Sequence, residues 1–309
     1  MPRSRRHHYI PRFWIKRWCN EKGLAIQYTQ EGLGGIAELR RPPKSIGYWY
    51  DLYSAPPKME AQLDLEESFF KRLDDHSAKV FSKLNQNGHL TGQEASTLAV
   101  FLLSLMHRTP SAFKSVRSVS AAMLEKIRQD LRPRYSELRG ANDPPTVEEY
   151  EALEGPFSDE VHFYRNLPNF IVNKKLVTFI ASLHWHILKR PAGVPPLLLS
   201  DDPLIRTNGL KKADGHLAFP LSPNHLIFGA YKRDFANFVL NSSWKEIFGK
   251  ANIQAVESAR HFVVSQTDSQ ARFIRNRFGR NLRPSLGEQI QRNQVDSDDL
   301  ADEHDTSAV

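Results

Sequence analysis

Cysteine is almost missing from this chain: Cys19 is alone in 309 residues. A single thiol excludes an internal disulfide framework and a cysteine-rich zinc site. Long apolar runs are missing too. The longest, about Leu98 to Met106, is interrupted by Ser104 and falls well short of the ~20 residues that a bilayer-spanning helix needs. No apolar stretch follows the basic residues at the start of the chain, so no secretory leader is expected and cytoplasmic residence follows. Several catalytic signatures are also absent. Ser222 lacks the Gly-x-Ser-x-Gly elbow of a serine hydrolase. Gly32-Leu-Gly-Gly35 has neither the lysine nor the spacing of a phosphate-binding loop or a dinucleotide fingerprint.

What is present begins with charge. The net charge of +7 combines a tail of −6, where seven acids between Glu288 and Val309 face only Arg292, with +13 on Met1 to Gly287. A body this basic suggests an anionic partner, of which nucleic acid is the commonest. The plain alternative is a basic protein with no such role. Few apolar residues occur among the acids of the tail, so 284–309 is expected to be disordered and to compete with nucleic acid for the basic surface. Elsewhere, 40% hydrophobic and 25% charged residues are ordinary for a globular protein and sufficient for one large core.

The periodicities describe an α+β chain. Residues 1–57 carry short apolar runs (24–28 and 48–53) between breakers at Gly34-Gly35, Pro42-Pro43 and Pro56-Pro57, a pattern of strands and turns. Residues 58–138 are helical. Apolar positions recur at helical spacing through Asn85, Asn87-Gly88 interrupts them, and Thr91 with Glu94 forms a capping box for a second helix. That helix is apolar almost all round and therefore central; a third helix spans about 111–131. Residues 139–156 read as a linker. In 159–283 helices are expected near 161–166, 176–188, 234–240 and 243–260, and strands at 196–200, 216–221, 226–231 and 261–264. The expected architecture is one composite domain over 1–283, a helical hairpin packed with a small mixed or antiparallel sheet rather than a doubly wound one.

Several stretches in this order resemble a known family. They are His7-His8-Tyr-Ile-Pro-Arg-Phe13, Met59-Glu60 with Glu67, Arg108-Thr109-Pro110, Leu199-Ser-Asp-Asp-Pro203, Phe219-Pro-Leu-Ser-Pro223 and Ala259 to Ser265. Together they resemble the bacterial family called domain of unknown function 4238 over about His7 to Ser265. Asp202 stands where that family usually has Asn. The resemblance implies no settled activity.

Four constellations bear chemistry. His7 and His8 titrate near neutrality and suit acid, base or metal-ligand roles. On an extended strand they face opposite ways, and His8, in phase with Ile10, is the one expected at a shared site. The plain alternative is a packed histidine. Glu60, Asp64 and Glu67 share one helical face, as a divalent cation requires, although Lys71 is available to Glu67 as a partner. Arg108, at the end of an apolar helix, needs a carboxylate or phosphate partner, and an antiparallel hairpin would bring it within about one turn of Glu67. Asp201 and Asp202 close an apolar strand at a sheet edge, or else make an Asx turn; Ser222 and Asn224 form turns at the same end. His184 and His186, taken as helical, would diverge and could not share a metal.

The expectation is a composite site between the opening strand, the helical hairpin and the strand ending at Asp201. As an enzyme it would be a metal-dependent phosphodiester hydrolase of nuclease type. Glu67, Asp201 and Asp202 would hold Mg or Mn, His8 would act as base, and Arg108 would steady the phosphate. The alternative is a non-catalytic nucleic-acid-binding protein whose polar cluster is structural.

Overall fold

The computed structural model describes residues 5–32, 34–55, 64–86, 88–154, 158–207, 209–284 and 288–289. The expectations for Glu60 and for the tail beyond Gln289 lie outside these residues. The fold is α+β. Its first section holds β1 (Arg6–His8), α1 (Arg12–Ile15), β2 (Ala25–Gln30), β3 (Ile36–Arg41) and β4 (Tyr48–Tyr50). A π turn (Glu66–Phe70) leads into α2 (Lys71–Asn85), α3 (Gly92–Arg108), α4 (Pro110–Leu131), α5 (Tyr135–Leu138), α6 (Val147–Glu154), α7 (Ser158–Ile171) and α8 (Lys174–Ala181). The last section holds β5 (His184–Lys189), β6 (Leu199–Ser200), β7 (Ile205–Arg206), β8 (His216–Ser222), β9 (His225–Ala230), α9 (Arg233–Leu240), α10 (Trp244–Glu257), β10 (Phe262–Ser265) and α11 (Ala271–Arg277). Among the described residues no helix is long and apolar enough to cross a membrane.

The chain divides into two compact units: Met1–Leu52, Phe70–Leu105 and Val172–Arg283 form the first, and Tyr53–Phe69, Met106–Ile171 and Pro284–Val309 the second. The strands among the described residues lie in the first unit, in three antiparallel sheets ordered β1-β4, β3-β2-β10-β6 and β5-β9-β8-β7. In the last of these, β8 and β9 form a hairpin. Its turn is tied by a bond between Ser222 Oγ and His225 Nδ1 (3.0 Å), and the Asn224 N–H donates to the same hydroxyl (3.3 Å). One face of this sheet packs Leu188, Ala218, Leu226 and Phe228 against Phe248 and Ala251 of α10 and Ala236 and Val239 of α9. The β3-β2-β10-β6 sheet is assembled over much longer distances, since Phe262–Ser265 of β10 pairs with Ile26–Thr29 of β2 and with Leu199 and Ser200 of β6.

The aromatic residues near the start of the chain are buried in this unit. The Trp14 indole donates to the Pro220 carbonyl (2.8 Å) and the Trp18 indole to that of Leu197 (2.7 Å). Trp14 also meets Phe81, Phe101 and Phe219 with ring centroids 5.4, 5.6 and 6.0 Å away. The capping box at α3 forms in both directions: the Thr91 N–H donates to Glu94 Oε2 (2.7 Å) and the Glu94 N–H to Thr91 Oγ1 (3.3 Å). As its all-round apolar character requires, α3 buries Leu98, Phe101, Leu102 and Leu105.

In the second unit, Thr109 caps α4 by accepting from the Ala112 N–H (3.3 Å), and Pro110 occupies the first turn where it sacrifices no helical bond. Contacts between α4 and α7 include Phe113 against Phe163 (5.3 Å) and the ion pairs Arg117–Glu160 and Arg128–Asp159.

Two local expectations differ from the structure. The stretch 184–188 is not helical; it is β5, paired with β9 from His184↔Ala230 to Lys189↔His225. Its apolar run suits either period, and the open edge of β9 decides. His184 and His186 therefore share a strand face, and the divergence argued from a helix does not apply. Residues 147–154 of the expected linker form α6, where Thr146 Oγ1 accepts from the Glu149 N–H (3.3 Å) and so caps the first turn.

Candidate nucleic-acid interface

The site grows from the β1-β4 ribbon. Antiparallel partners share a face, and here His8 opposes Tyr48 while His7 opposes Trp49. On the first face the His8 and Tyr48 rings lie 5.7 Å apart, and the Arg6 guanidinium sits over Tyr48 (5.0 Å) and Tyr50 (5.7 Å). Trp49 belongs to the second face; its ring is 5.6 Å from that of His261, yet it stays 48% exposed. His7 is buried and His8 half-buried.

Asp201 explains why His261 stands there. Its carboxylate is buried just beyond β6 and gathers the backbone at the entry to β10. The Arg260 N–H donates to both oxygens (3.0 and 3.2 Å), the His261 N–H to Oδ2 (3.0 Å) and the Phe262 N–H to Oδ1 (3.3 Å). An Asx turn would bond two residues on, whereas these donors lie 59 to 61 residues further along the chain. Burial pushes the Asp201 carboxyl up to about 7, against the opposing pull of the backbone N–H groups and with a push from Asp202. Asp202 is also raised by burial, and Arg206, Arg283 and Arg260 draw it back down.

The backbone so held presents its side chains to the ribbon. Tyr9 meets His261 and Phe262 with centroids 6.4 and 6.1 Å away, and Thr29 Oγ1 donates to the His261 carbonyl (2.9 Å). Burial lowers the His261 imidazole pKa, and Arg260 adds to the effect. Between the ribbon, the β2-β3 hairpin and the start of β10 lies an open pocket of about 550 Å³. Gln27, Arg41, Trp49, Arg260 and His261 supply its chemistry, and Glu31 adds one carboxylate. Gln27 Oε1 is buried with no hydrogen-bond partner among the described residues. Arg41 forms no ion pair among the described residues.

Of the residues singled out in the sequence, His8, Asp201 and Asp202 belong to the first unit, and Glu67 and Arg108 to the second. Within the first unit, neither Asp201 nor His8 lines the pocket: Asp201 holds the backbone of 260–262, and His8 faces Tyr48 on the other face of the ribbon. In the second unit Glu67 is exposed on the π turn, where its N–H donates to Asp64 Oδ1 (3.0 Å). The Arg108 side chain is wholly buried, and its carbonyl accepts from the Tyr53 hydroxyl. A phosphate arriving from solvent would reach Arg108 only if the surrounding packing opened. Among the described residues no three His, Cys, Asp or Glu side chains are grouped as a metal ion would require.

Sequence reasoning passed over Gln27, Arg41, Trp49, Arg260 and His261. The only local signal was the closeness of Arg40-Arg41 and Lys44 to the aromatic run Tyr48-Trp-Tyr50. Compared with known proteins, a family model described as "Protein of unknown function (DUF4238)" matches residues 6–269. No curated protein and no solved structure matches the chain.

Proposed function

Because the chain belongs to the DUF4238 family, whose description assigns no activity, its function must be argued from its own residues, and we propose that it binds single-stranded nucleic acid through the basic, aromatic pocket of the first unit. The observation that carries this reading is Trp49, a large ring half open to solvent at a pocket walled by Arg41 and Arg260. Exposed aromatics of this kind stack on unpaired bases, with cations nearby to neutralise the backbone. A duplex hides its base faces and offers such a ring nothing to stack on. The surrounding sequence supplies the field: Met1 to Leu52 contains ten lysines and arginines against four acids.

The hydrolase reading has less support. Asp201, its central carboxylate, spends both oxygens on backbone N–H groups, which is the work of a structural anchor. Fluorescence anisotropy with labelled single-stranded and duplex oligonucleotides tests the proposal. The single strand should bind more tightly, its affinity should fall steeply with salt, and Trp49→Ala should weaken it roughly tenfold, the value of one stacked base. A salt-independent response, or equal binding by Trp49→Ala, would overturn it.

A further inference from the structure

We infer that this pocket is a single-nucleotide site that seats one base against the Gln27 amide while Arg41 takes the adjoining phosphate. The inference rests on the reading of the pocket as a nucleic-acid surface and adds that the protein reads the base. It begins with Gln27. This residue sits in β2, opposite Leu39 of β3 and Val264 of β10, so its backbone is fixed on both sides. Its side chain lines the pocket, and its carbonyl oxygen is buried without a partner among the described residues. A buried acceptor left unsatisfied is costly, and because Gln27 is only half-buried on the pocket wall, a turn of its side chain brings the oxygen within reach of a ligand N–H. An amide both donates and accepts, and so matches the paired donor and acceptor of a base edge.

The other walls narrow the ligand class. Arg41 in β3 brings a planar guanidinium without an ion pair among the described residues, the group best suited to a phosphate. Glu31, on the same pocket, disfavours a ligand that is anionic all over, such as a polyphosphate, and favours one that also carries donors. Trp49, on the ribbon face that meets His261, supplies an apolar face for a flat ring. A flat heterocycle with N–H donors, joined to one phosphate, satisfies all three demands. The volume of about 550 Å³ lies inside the range of small-molecule sites and accommodates one such unit.

Calorimetry on the full chain tests this with the four nucleoside monophosphates (AMP, CMP, GMP and UMP), ribose 5-phosphate and inorganic phosphate. At least one nucleotide should bind roughly tenfold more tightly than ribose 5-phosphate, since a satisfied buried hydrogen bond is worth about one decade. Gln27→Leu should erase that difference and leave ribose 5-phosphate binding as it was, whereas Arg41→Met should weaken every phosphate-bearing ligand. Should Gln27→Leu melt early, Gln27→Glu keeps the shape, removes the amide donor and should reorder the four nucleotides. Equal binding of ribose 5-phosphate and all four nucleotides overturns the inference, as does an unchanged order in Gln27→Glu. Oligonucleotide anisotropy on the same preparation separates the two levels. Salt-sensitive single-strand binding with no preference among the nucleotides refutes base reading alone, whereas loss of oligonucleotide binding refutes the parent proposal.

Discussion

The two four-stranded sheets of the first unit are built by opposite strategies. In β5-β9-β8-β7 the two central strands form a hairpin, and side chains from α9 and α10 cover one face. In β3-β2-β10-β6 the inner strand β10 arrives more than 200 residues after its partner β2, and its entry is held by a buried carboxylate. The hairpin sheet places Leu217, Phe219, Leu221 and Ile227 in the interior and turns its chemistry into packing. The assembled sheet leaves Gln27 and Arg41 facing a pocket. A sheet closed by distant segments thus gathers functional groups that a local hairpin, whose neighbours are already close in sequence, does not bring together.

The largest effect should come from a residue that serves the hairpin sheet from outside. Trp14→Ala removes a wholly buried indole, its bond to the Pro220 carbonyl and its contacts with three phenylalanines. It should cost about 3–5 kcal/mol in urea denaturation. A loss under about 1 kcal/mol would mean that the hairpin sheet stands without the opening segment.

Asp201→Asn sharpens the contrast from the side of the assembled sheet. The amide would turn an N–H₂ group toward backbone donors that now meet a carboxylate. We expect a loss of about 2–3 kcal/mol together with weaker oligonucleotide binding, as Arg260 and His261 lose their placement. Unchanged stability in differential scanning calorimetry would remove the anchor role and leave Asp201 a turn residue.

Gly229→Ala is the matching test for the hairpin sheet. An added Cβ would lie 2.5 Å from the Trp185 ring, an overpacking that costs about 1–3 kcal/mol and should leave nucleotide binding intact once the protein is folded. A selective loss of binding would show that the two sheets are not independent in function.

The smallest and most graded effect is on pH. The Asp201 carboxyl rises from an ordinary 3.8 to about 7 in the folded chain, so the folded state holds its proton more tightly than the unfolded one. That contribution is complete below about pH 4 and is lost as the pH climbs through about 7. Melting temperatures over pH 4–8 should therefore contain a falling component that Asp201→Asn flattens. Parallel profiles for the two proteins would contradict it.

Much of the local structure could be read from the residues alone. Thr91 and Glu94 announced the start of α3, the apolar run 98–106 its burial, and Ser222-Pro-Asn224 the turn of the β8-β9 hairpin. These signals act within four residues or one hairpin, where capping and side-chain period decide the outcome. The run 184–188 could not be read that way, because its partner strand β9 lies some forty residues on and selects β over α. Asp201 was visible as a notable carboxylate, but its partners, backbone groups at 260–262, carry no side-chain signature at all.

By itself, then, the sequence determined the α+β class, the start of α3, the extents of α4 and α9, and the basic character of the body, since each follows from local period, capping or composition. Tertiary structure alone decided the pocket. Gln27, Arg41, Trp49 and His261 become neighbours only when β10 pairs with β2 and the Asp201 carboxylate gathers the backbone before it. Strand pairing is made by main-chain groups that nearly every residue possesses, so a lone sequence does not reveal which distant segments will meet.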